Sequence, residues 1–468
     1  MSDAAASILP WMQADHDVIV LGAGNTGLAA ASGARKGGKS VLVVEKRDVG
    51  GTCPLRGCVP KKVLVAAADA LDVIDRAHAH HIEVAPPRLD WARLIERERT
   101  FVAGVSASLE KDLKEEGTDL VRGAARFVGP HDVEVDGVRF RAKTIVVGVG
   151  AKPRPLDLEG GALAVTSDDL LFDPVLPRSL VFVGAGVIAL ELTHVLARAG
   201  VKVTLLEALP RALGKLDADL VDALLDVTRK LGVEIRLGVK VLSIAKDGGG
   251  GGGFDGAMRV RYEEGGAVRE LRADRVANGS GRVADLDGLR LDAAKIGTTD
   301  GKPDVDASLR SRTNPDVYFG GDANPRAPQL SPVATYDGRV IGRNIAHGTR
   351  DEPDYRPIPS AVYTVPPLAS VGLTEAEARE AKRDVVVKDV DMSTWKSART
   401  YAERAARAKI VIEKGSDLVL GAQLLRRNAD EVIHAFAFAM KLGITSAQLK
   451  DMVCAFPTFH ADIRYLLE

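Results

Sequence analysis

Two cysteines, Cys53 and Cys58, stand in the run Gly50-Gly51-Thr52-Cys53-Pro54-Leu55-Arg56-Gly57-Cys58-Val59-Pro60-Lys61-Lys62. At a glycine-rich entry to a helix, thiols at this separation close a disulfide if the first turn is distorted. The positive helix end and the nearby Lys61 ammonium lower a thiol pKa. Thiolate is the form that disulfide exchange requires. Two inert core cysteines are the plain alternative, and the length of the motif argues against it. The third cysteine, Cys454, reads as a core thiol. Three cysteines do not complete a four-thiolate zinc site, and no histidine spacing supplies the missing ligands, so no metal is expected. His78, His80 and His81 read as solvated helix-end residues.

Two further motifs handle phosphates. Gly22-Ala23-Gly24-Asn25-Thr26-Gly27 follows the short β-branched run Asp17 to Leu21 and opens an Ala-rich helical stretch to Lys36. A strand from Ser40 to Val44 then ends at Glu45. Gly22 permits the tight turn, Gly24 lets a pyrophosphate approach, and Gly27 lets the helix pack on the sheet. The helix N-terminus faces the phosphates, and Glu45 sits where a carboxylate accepts from ribose hydroxyls. About 160 residues later the pattern returns. Strand Leu180 to Val183, turn Gly184-Ala185-Gly186-Val187-Ile188-Ala189, a helix to Ala199 and strand Lys202 to Leu206 end at Glu207. Ala189 takes the third glycine's place. Glu207 favours a free 2′-hydroxyl and repels a 2′-phosphate, which favours NADH; Arg211 partly offsets this and keeps NADPH open.

These motifs need elements to hold them. Two βαβ units imply two Rossmann-like domains in a chain of 468 residues, long enough for several cores. Thr144 to Ala151 is a strand running into Gly148-Val149-Gly150, and Pro153, Pro155 and Pro174 mark a crossover. Gly248 to Gly253 reads as a flexible hairpin loop. From Arg356 onward, strand-like runs (Asp384 to Val390, Ala408 to Glu413) mix with helical ones (Thr374 to Ala381, Asp430 to Leu442), an α+β domain.

Composition narrows the classes. With 63 basic and 64 acidic residues the net charge is −1, and aromatics are 4%. Neither charge nor stacking side chains argue for nucleic acid. Leu180 to Leu190 is too short to span a bilayer, and Met1 to Asp15 lacks the basic and apolar regions of a signal peptide. A cytoplasmic protein without a membrane partner is expected.

Gly50 to Lys62 resembles the redox-disulfide signature of the pyridine nucleotide–disulfide oxidoreductases. The likeness runs along essentially the whole chain. It implies an α/β fold with an FAD domain (1–155 and 278–348), an NAD(P) domain (156–277) and an α+β dimerisation domain (349–468) in a homodimer. Thr313 to Asp322 resembles the family's second FAD motif, with Asp322 on the ribitol chain and Leu330-Ser331-Pro332-Val333-Ala334 under the flavin. Gly51, Thr52, Ala125 and Gly150 fall at FAD-binding positions, and Gly184 and Gly186 at the NAD turn. Pro366 to Leu373 resembles the start of the interface domain. By this resemblance Cys58 is the thiol next to the flavin and Cys53 the interchange thiol. Lys61 and Glu191 match the ion pair near the reactive flavin nitrogen. The implied activity carries electrons from nicotinamide through FAD to the dithiol, then to a small disulfide.

The C-terminus departs from that pattern. The family has His-Pro-Thr and an acid, the His serving the partner subunit's thiols as general acid–base. Here the run is Cys454-Ala455-Phe456-Pro457-Thr458-Phe459-His460-Ala461-Asp462. Phe456 takes the place of the His and Ala461 that of the acid. His460, about one helical turn on, is a candidate proton donor. An apolar residue here is similar to 2-ketopropyl coenzyme M oxidoreductase/carboxylase, which makes reductive thioether cleavage a second reading. A low-turnover redox sensor is a third. Ser32, Phe101 and Leu109 stand where glutathione reductases carry Arg and Tyr, so a smaller or more apolar acceptor is expected.

Overall fold

The β-branched runs around both glycine turns are buried on both faces, as parallel strands covered by helices must be. A computed structural model describes residues 15–247 and 257–468. The glycine run Gly248 to Gly253 and the N-terminal segment up to Ala14 lie outside the described residues. In chain order the first elements are β1 (His16–Leu21), α1 (Asn25–Lys36), β2 (Val41–Glu45), α2 (Thr52–Arg56), α3 (Cys58–Asp75), β3 (Asp119–Arg122) and β4 (Val138–Val147). The second βαβ unit adds β5 (Ser179–Val183), α4 (Val187–Arg198), β6 (Lys202–Glu207), α5 (Ala218–Lys230), β7 (Glu234–Leu237) and β8 (Arg275–Asn278). Then come β9 (Val317–Phe319), α6 (Ser331–His347), β10 (Ser360–Val362), β11 (Leu368–Gly372), β12 (Val385–Asp391), β13 (Arg407–Glu413), β14 (Val419–Leu425) and α7 (Ala429–Leu442).

The chain divides into two compact units. One comprises Met1–Pro60, Arg99–Arg154 and Arg282–Asp354. Its parallel strands run in the order β3-β2-β1-β4, with β9 also on β4. The first half of β4 turns antiparallel with Asp132–Val135. One core lies between this sheet and α1, where Val18, Val20, Val41 and Val43 meet Ala30, Ala31 and Ala34. Helices α1 and α6 touch through glycine: a Cβ on Gly33 would lie 2.8 Å from the Gly342 Cα. That close approach brings the N-termini of the two helices together.

The other unit comprises Lys61–Glu98, Pro155–Gly281 and Tyr355–Glu468. It holds a parallel sheet in the order β7-β6-β5-β8. Lys240–Asp247 and Ala257–Glu264, which flank the glycine run, pair antiparallel. The C-terminal part is an antiparallel sheet in the order β10-β11-β14-β13-β12, backed by α7. The α/β fold with two Rossmann-type sheets and an α+β C-terminal part is therefore present. No helix among the described residues is long and apolar enough to cross a membrane.

Candidate active site

Cys53 lies on α2 and Cys58 opens α3. Both are thiols, Cys53 half-buried and Cys58 exposed. A hydrogen bond from Cys58 draws the Cys53 pKa down to about 6, against the pull of burial; donors on Ser331 and Asn25 and the Cys58 backbone add to it. Ser331 and Asn25 are the first residues of α6 and α1, so two helix N-termini meet at this thiol. Asn25 Nδ2 also donates to Ser331 Oγ at 2.6 Å, which orients both groups. Acidification of the thiol pair was expected from the helix end and from Lys61. Lys61 donates to Glu191 Oε1 at 2.8 Å, and the largest influences lowering the Cys53 pKa are Cys58, Ser331 and Asn25. The Cys53 donors Asn25 and Ser331 escaped the sequence reading, because they lie 306 residues apart and meet only through the α1–α6 contact.

In the first glycine turn the packing leaves no room for a side chain at its first and third glycines. Gly22 has φ +97°, and a Cβ there would lie 2.6 Å from Gly148 O. A Cβ on Gly27 would lie 1.8 Å from Gly22 O, and one on Gly51 2.8 Å from the Gly24 Cα. Glu45, buried at the end of β2, accepts from Ala23 N and Arg47 N, both at 2.7 Å. A cavity of about 440 Å³ opens beside Glu45, lined also by Gly22, Ala125, Val149 and Asp285. Gly150 follows that lining with φ +72°, and Thr52 is exposed at the start of α2. Burial raises the Asp322 pKa, against the charge of Arg282. Such a carboxylate needs donors. Glycines that bring the backbone close, an acid at the strand end and the desolvated Asp322 carboxyl together fit FAD.

The second turn repeats the design. A Cβ on Gly184 (φ +101°) would lie 2.5 Å from Gly279 O. A Cβ on Gly279 would in turn lie 2.8 Å from the Ala189 Cβ, so the third position of the turn is matched to a glycine beyond β8. Gly279 was not singled out from sequence. Gly186 caps α4. Glu207 accepts from Ala185 N at 2.7 Å and Leu209 N at 2.9 Å. Arg211 is held by Ala218 O at 2.7 Å and Asp222 at 3.2 Å. Asp222 pairs with its charge on the exposed surface.

Glu191 on α4 is buried and accepts from both Lys61 Nζ and Tyr363 N at 2.8 Å. Lys61 and Lys62 lie over the Tyr363 ring at 4.2 and 3.9 Å. Tyr363 was another residue missed.

In the C-terminal segment Phe456 is 73% exposed and Val453 fully so. Cys454 is exposed too, which corrects the expectation of a core thiol. An apolar run reads as core from composition alone, but here it stands clear of the chain's own core. His460 is exposed and begins the 3₁₀ turn His460–Asp462. Residues 456–459 form bends and a turn around a cis Phe456–Pro457 bond, so the helical-turn spacing expected between Phe456 and His460 is absent. Arg426 anchors the segment: it donates to Asp462 at 2.7 Å and lies 4.3 Å from the Phe459 ring. His78, His80 and His81 are all exposed, at and just beyond the 3₁₀ turn Ala77–His80. Ser32 donates to Glu116 at 2.8 Å, and Leu109 packs at Gly50.

A family model described as pyridine nucleotide-disulphide oxidoreductase matches residues 16–338, and its dimerisation-domain model matches 358–466. A glutathione reductase of Burkholderia cepacia is 30% identical over 445 residues, covering 95% of this chain and 96% of that protein. A dihydrolipoyl dehydrogenase of Thermus scotoductus is 32% identical over 448 residues, covering 95% of each. Among solved structures, the Cu(II) complex of the HOCl-induced flavoprotein disulfide reductase RclA from Escherichia coli superposes with a TM-score of 0.85 at 25% identity, over 97% of this chain and 99% of that one.

Proposed function

The chain belongs to the pyridine nucleotide-disulphide oxidoreductase family, and from that premise we propose an NADH-preferring enzyme whose Cys53–Cys58 dithiol reduces a small disulfide with an acidic leaving thiol. Membership makes it a flavin-dependent NAD(P)H–disulfide oxidoreductase that dimerises through its C-terminal domain. Overall one NADH and one proton convert one disulfide to two thiols and leave NAD⁺. When bound, FAD supplies the two-electron relay between nicotinamide and thiols. The Gly22–Gly27 turn, Glu45, Gly51, Thr52, Ala125, Gly150 and Asp322 are assigned to holding it. Gly184, Gly186 and Glu207 are assigned to NADH, with the Glu207 carboxylate set against a 2′-phosphate. The Lys61–Glu191 pair takes the charge-stabilising role that the resemblance gives it.

One observation carries the acceptor reading: the Cys53 pKa of about 6 beside a chain that offers Phe456 where its family has a histidine. A thiol titrating there is thiolate at neutral pH and attacks a disulfide without a base. Nothing in Phe456 protonates the thiolate that departs. Acceptors whose released thiol is already a good leaving group lose least by this. His460 remains a candidate proton donor.

The test is a set of disulfides graded by the pKa of the thiol they release. kcat/KM should rise steeply as that pKa falls, with glutathione disulfide among the poor acceptors. A flat dependence, or rapid turnover of glutathione disulfide, would sink the acceptor reading. Anaerobic titration with NADH and NADPH, followed in the flavin spectrum, tests the donor side. If neither nucleotide reduces the flavin, the redox-sensing reading replaces the enzyme. Phe456 also favours a second reading, reductive C–S cleavage of a thioether, since an apolar residue keeps protons from a carbanion. Release of a thiol from a β-ketothioether, with no disulfide turned over, would select it.

A further inference from the structure

His194 lies one turn beyond Glu191 on α4 and is completely buried. Both ring nitrogens are used. The Val365 backbone N–H donates to Nδ1 at 3.1 Å. On the other side Nε2–H donates to Thr228 Oγ1 at 2.9 Å, whose own hydroxyl donates to Leu224 O at 2.8 Å. Val365 O lies 3.2 Å from Nδ1 but is served by Arg198 Nη2 at 3.0 Å. These partners fix one neutral tautomer, with its proton on Nε2. Burial, reinforced by the Arg198 charge, lowers the His194 pKa to about 3, so this imidazole does no acid–base work near neutral pH.

Its neighbours show what it holds. Glu191, His194 and Arg198 lie on one face of α4 and all bond the short segment 363–365. Tyr363 N donates to Glu191, Val365 N to His194, and Arg198 donates to Val365 O. Arg198 also reaches Asp72 on α3 at 3.1 Å. Tyr363 touches both members of the ion pair, Glu191 through its backbone N–H and Lys61 through its ring. A leucine would fill the same core volume without burying polar atoms that need partners.

We infer that His194 is a positioning residue: by fixing Val365 it holds Tyr363 against the Lys61–Glu191 pair and sets how that pair is presented. The functional consequence rests on the role proposed above for the pair.

Two substitutions in the holoenzyme separate this from packing. In His194→Asn the amide oxygen replaces Nδ1, keeping the Val365 bond and losing Thr228. In His194→Gln the amide nitrogen replaces Nε2, keeping Thr228 and losing Val365. The Gln variant should lower the equilibrium constant for flavin reduction by NADH about tenfold, close to 30 mV for a two-electron couple. In its crystal structure the Lys61–Glu191 distance should lengthen from 2.8 Å. The Asn variant should restore both, and Thr228→Val, which removes only the far partner, should leave both unchanged. Melting temperatures are read alongside. Equal shifts in all three variants, or an unmoved ion pair in the Gln variant, overturn the inference and leave His194 as core packing. A lengthened ion pair with an unchanged flavin potential supports the positioning and instead sinks the role proposed for the pair.

Discussion

Removal of the Asn25 amide should raise the pKa of the Cys53 thiol. Cys53 titrates at about 6 because Cys58, Ser331 and Asn25 donate to its thiolate. A hydrogen bond to a charged acceptor contributes about 1.5–3 kcal/mol, and one pKa unit is about 1.36 kcal/mol. Asn25→Ala should therefore move the titration up by about one to two units, less whatever Ser331 regains when its own partner leaves. At pH 7 a thiol titrating at about 6 is about ten parts thiolate to one of thiol. In the variant the two forms are near balance or reversed, and single-turnover attack on a disulfide slows accordingly. The assay is alkylation of the reduced protein against pH, in a Cys454→Ser background so that the exposed third thiol is silent. Lys61→Met is the control and should move the midpoint less than Asn25→Ala. The linkage has a definite sign. The native pKa lies below that of the unfolded chain. The thiolate's contribution to stability is thus complete above the unfolded thiol's pKa and is lost as pH falls through about 6. An Asn25→Ala midpoint equal to wild type, or a larger shift in Lys61→Met, refutes the hydrogen-bond account.

Other substitutions test separate parts of the molecule. Glu207→Gln should raise kcat/KM for NADPH relative to NADH about tenfold, near 1.4 kcal/mol, while Arg211→Ala leaves the ratio within a factor of two, about 0.4 kcal/mol. Gly22→Ala puts a Cβ 2.6 Å from Gly148 O and should lower FAD content, read as the ratio of flavin to protein absorbance. Gly184→Ala makes the matching clash with Gly279 O and should raise KM for NADH at full FAD content. Arg426→Met leaves Asp462 and Glu403 buried without their cation, and should cost about 3–5 kcal/mol in denaturant unfolding.

What could be read from the sequence was local. Gly22 and Gly184 declare themselves because a left-handed turn at the end of a buried strand demands glycine whatever surrounds it. The Cys53–Cys58 spacing is equally self-contained. The cause of the low thiol pKa is not, because it depends on Gly33 meeting Gly342 so that the first turns of α1 and α6 adjoin. Lys61 was paired correctly with Glu191, yet the largest influences lowering the Cys53 pKa are Cys58, Ser331 and Asn25, since proximity in sequence is no measure of where a long side chain points. Cys454 failed for a different reason. Met452 to Phe456 has the composition of a core segment, and burial in the chain's own core is a tertiary property. His460 was placed by helical spacing in a stretch that bends instead.

The two Rossmann units bear on how the nicotinamide is chosen. Glu45 and Glu207 are held alike, each accepting from the alanine amide of its Gly-Ala-Gly turn and from the amide two residues beyond itself. The turns are thus equivalent as frames, and a frame common to both sites does not distinguish one dinucleotide from another. The preference for NADH proposed above therefore rests on charge at the strand end. There the second unit places a carboxylate, and the nearby cation, Arg211, is already matched by Asp222. On that proposal a 2′-phosphate would meet the Glu207 carboxylate, and Arg211 would help it by leaving Asp222. The free 2′-hydroxyl of NADH makes neither demand, and the Glu207→Gln ratio of NADPH to NADH turnover tests the proposal.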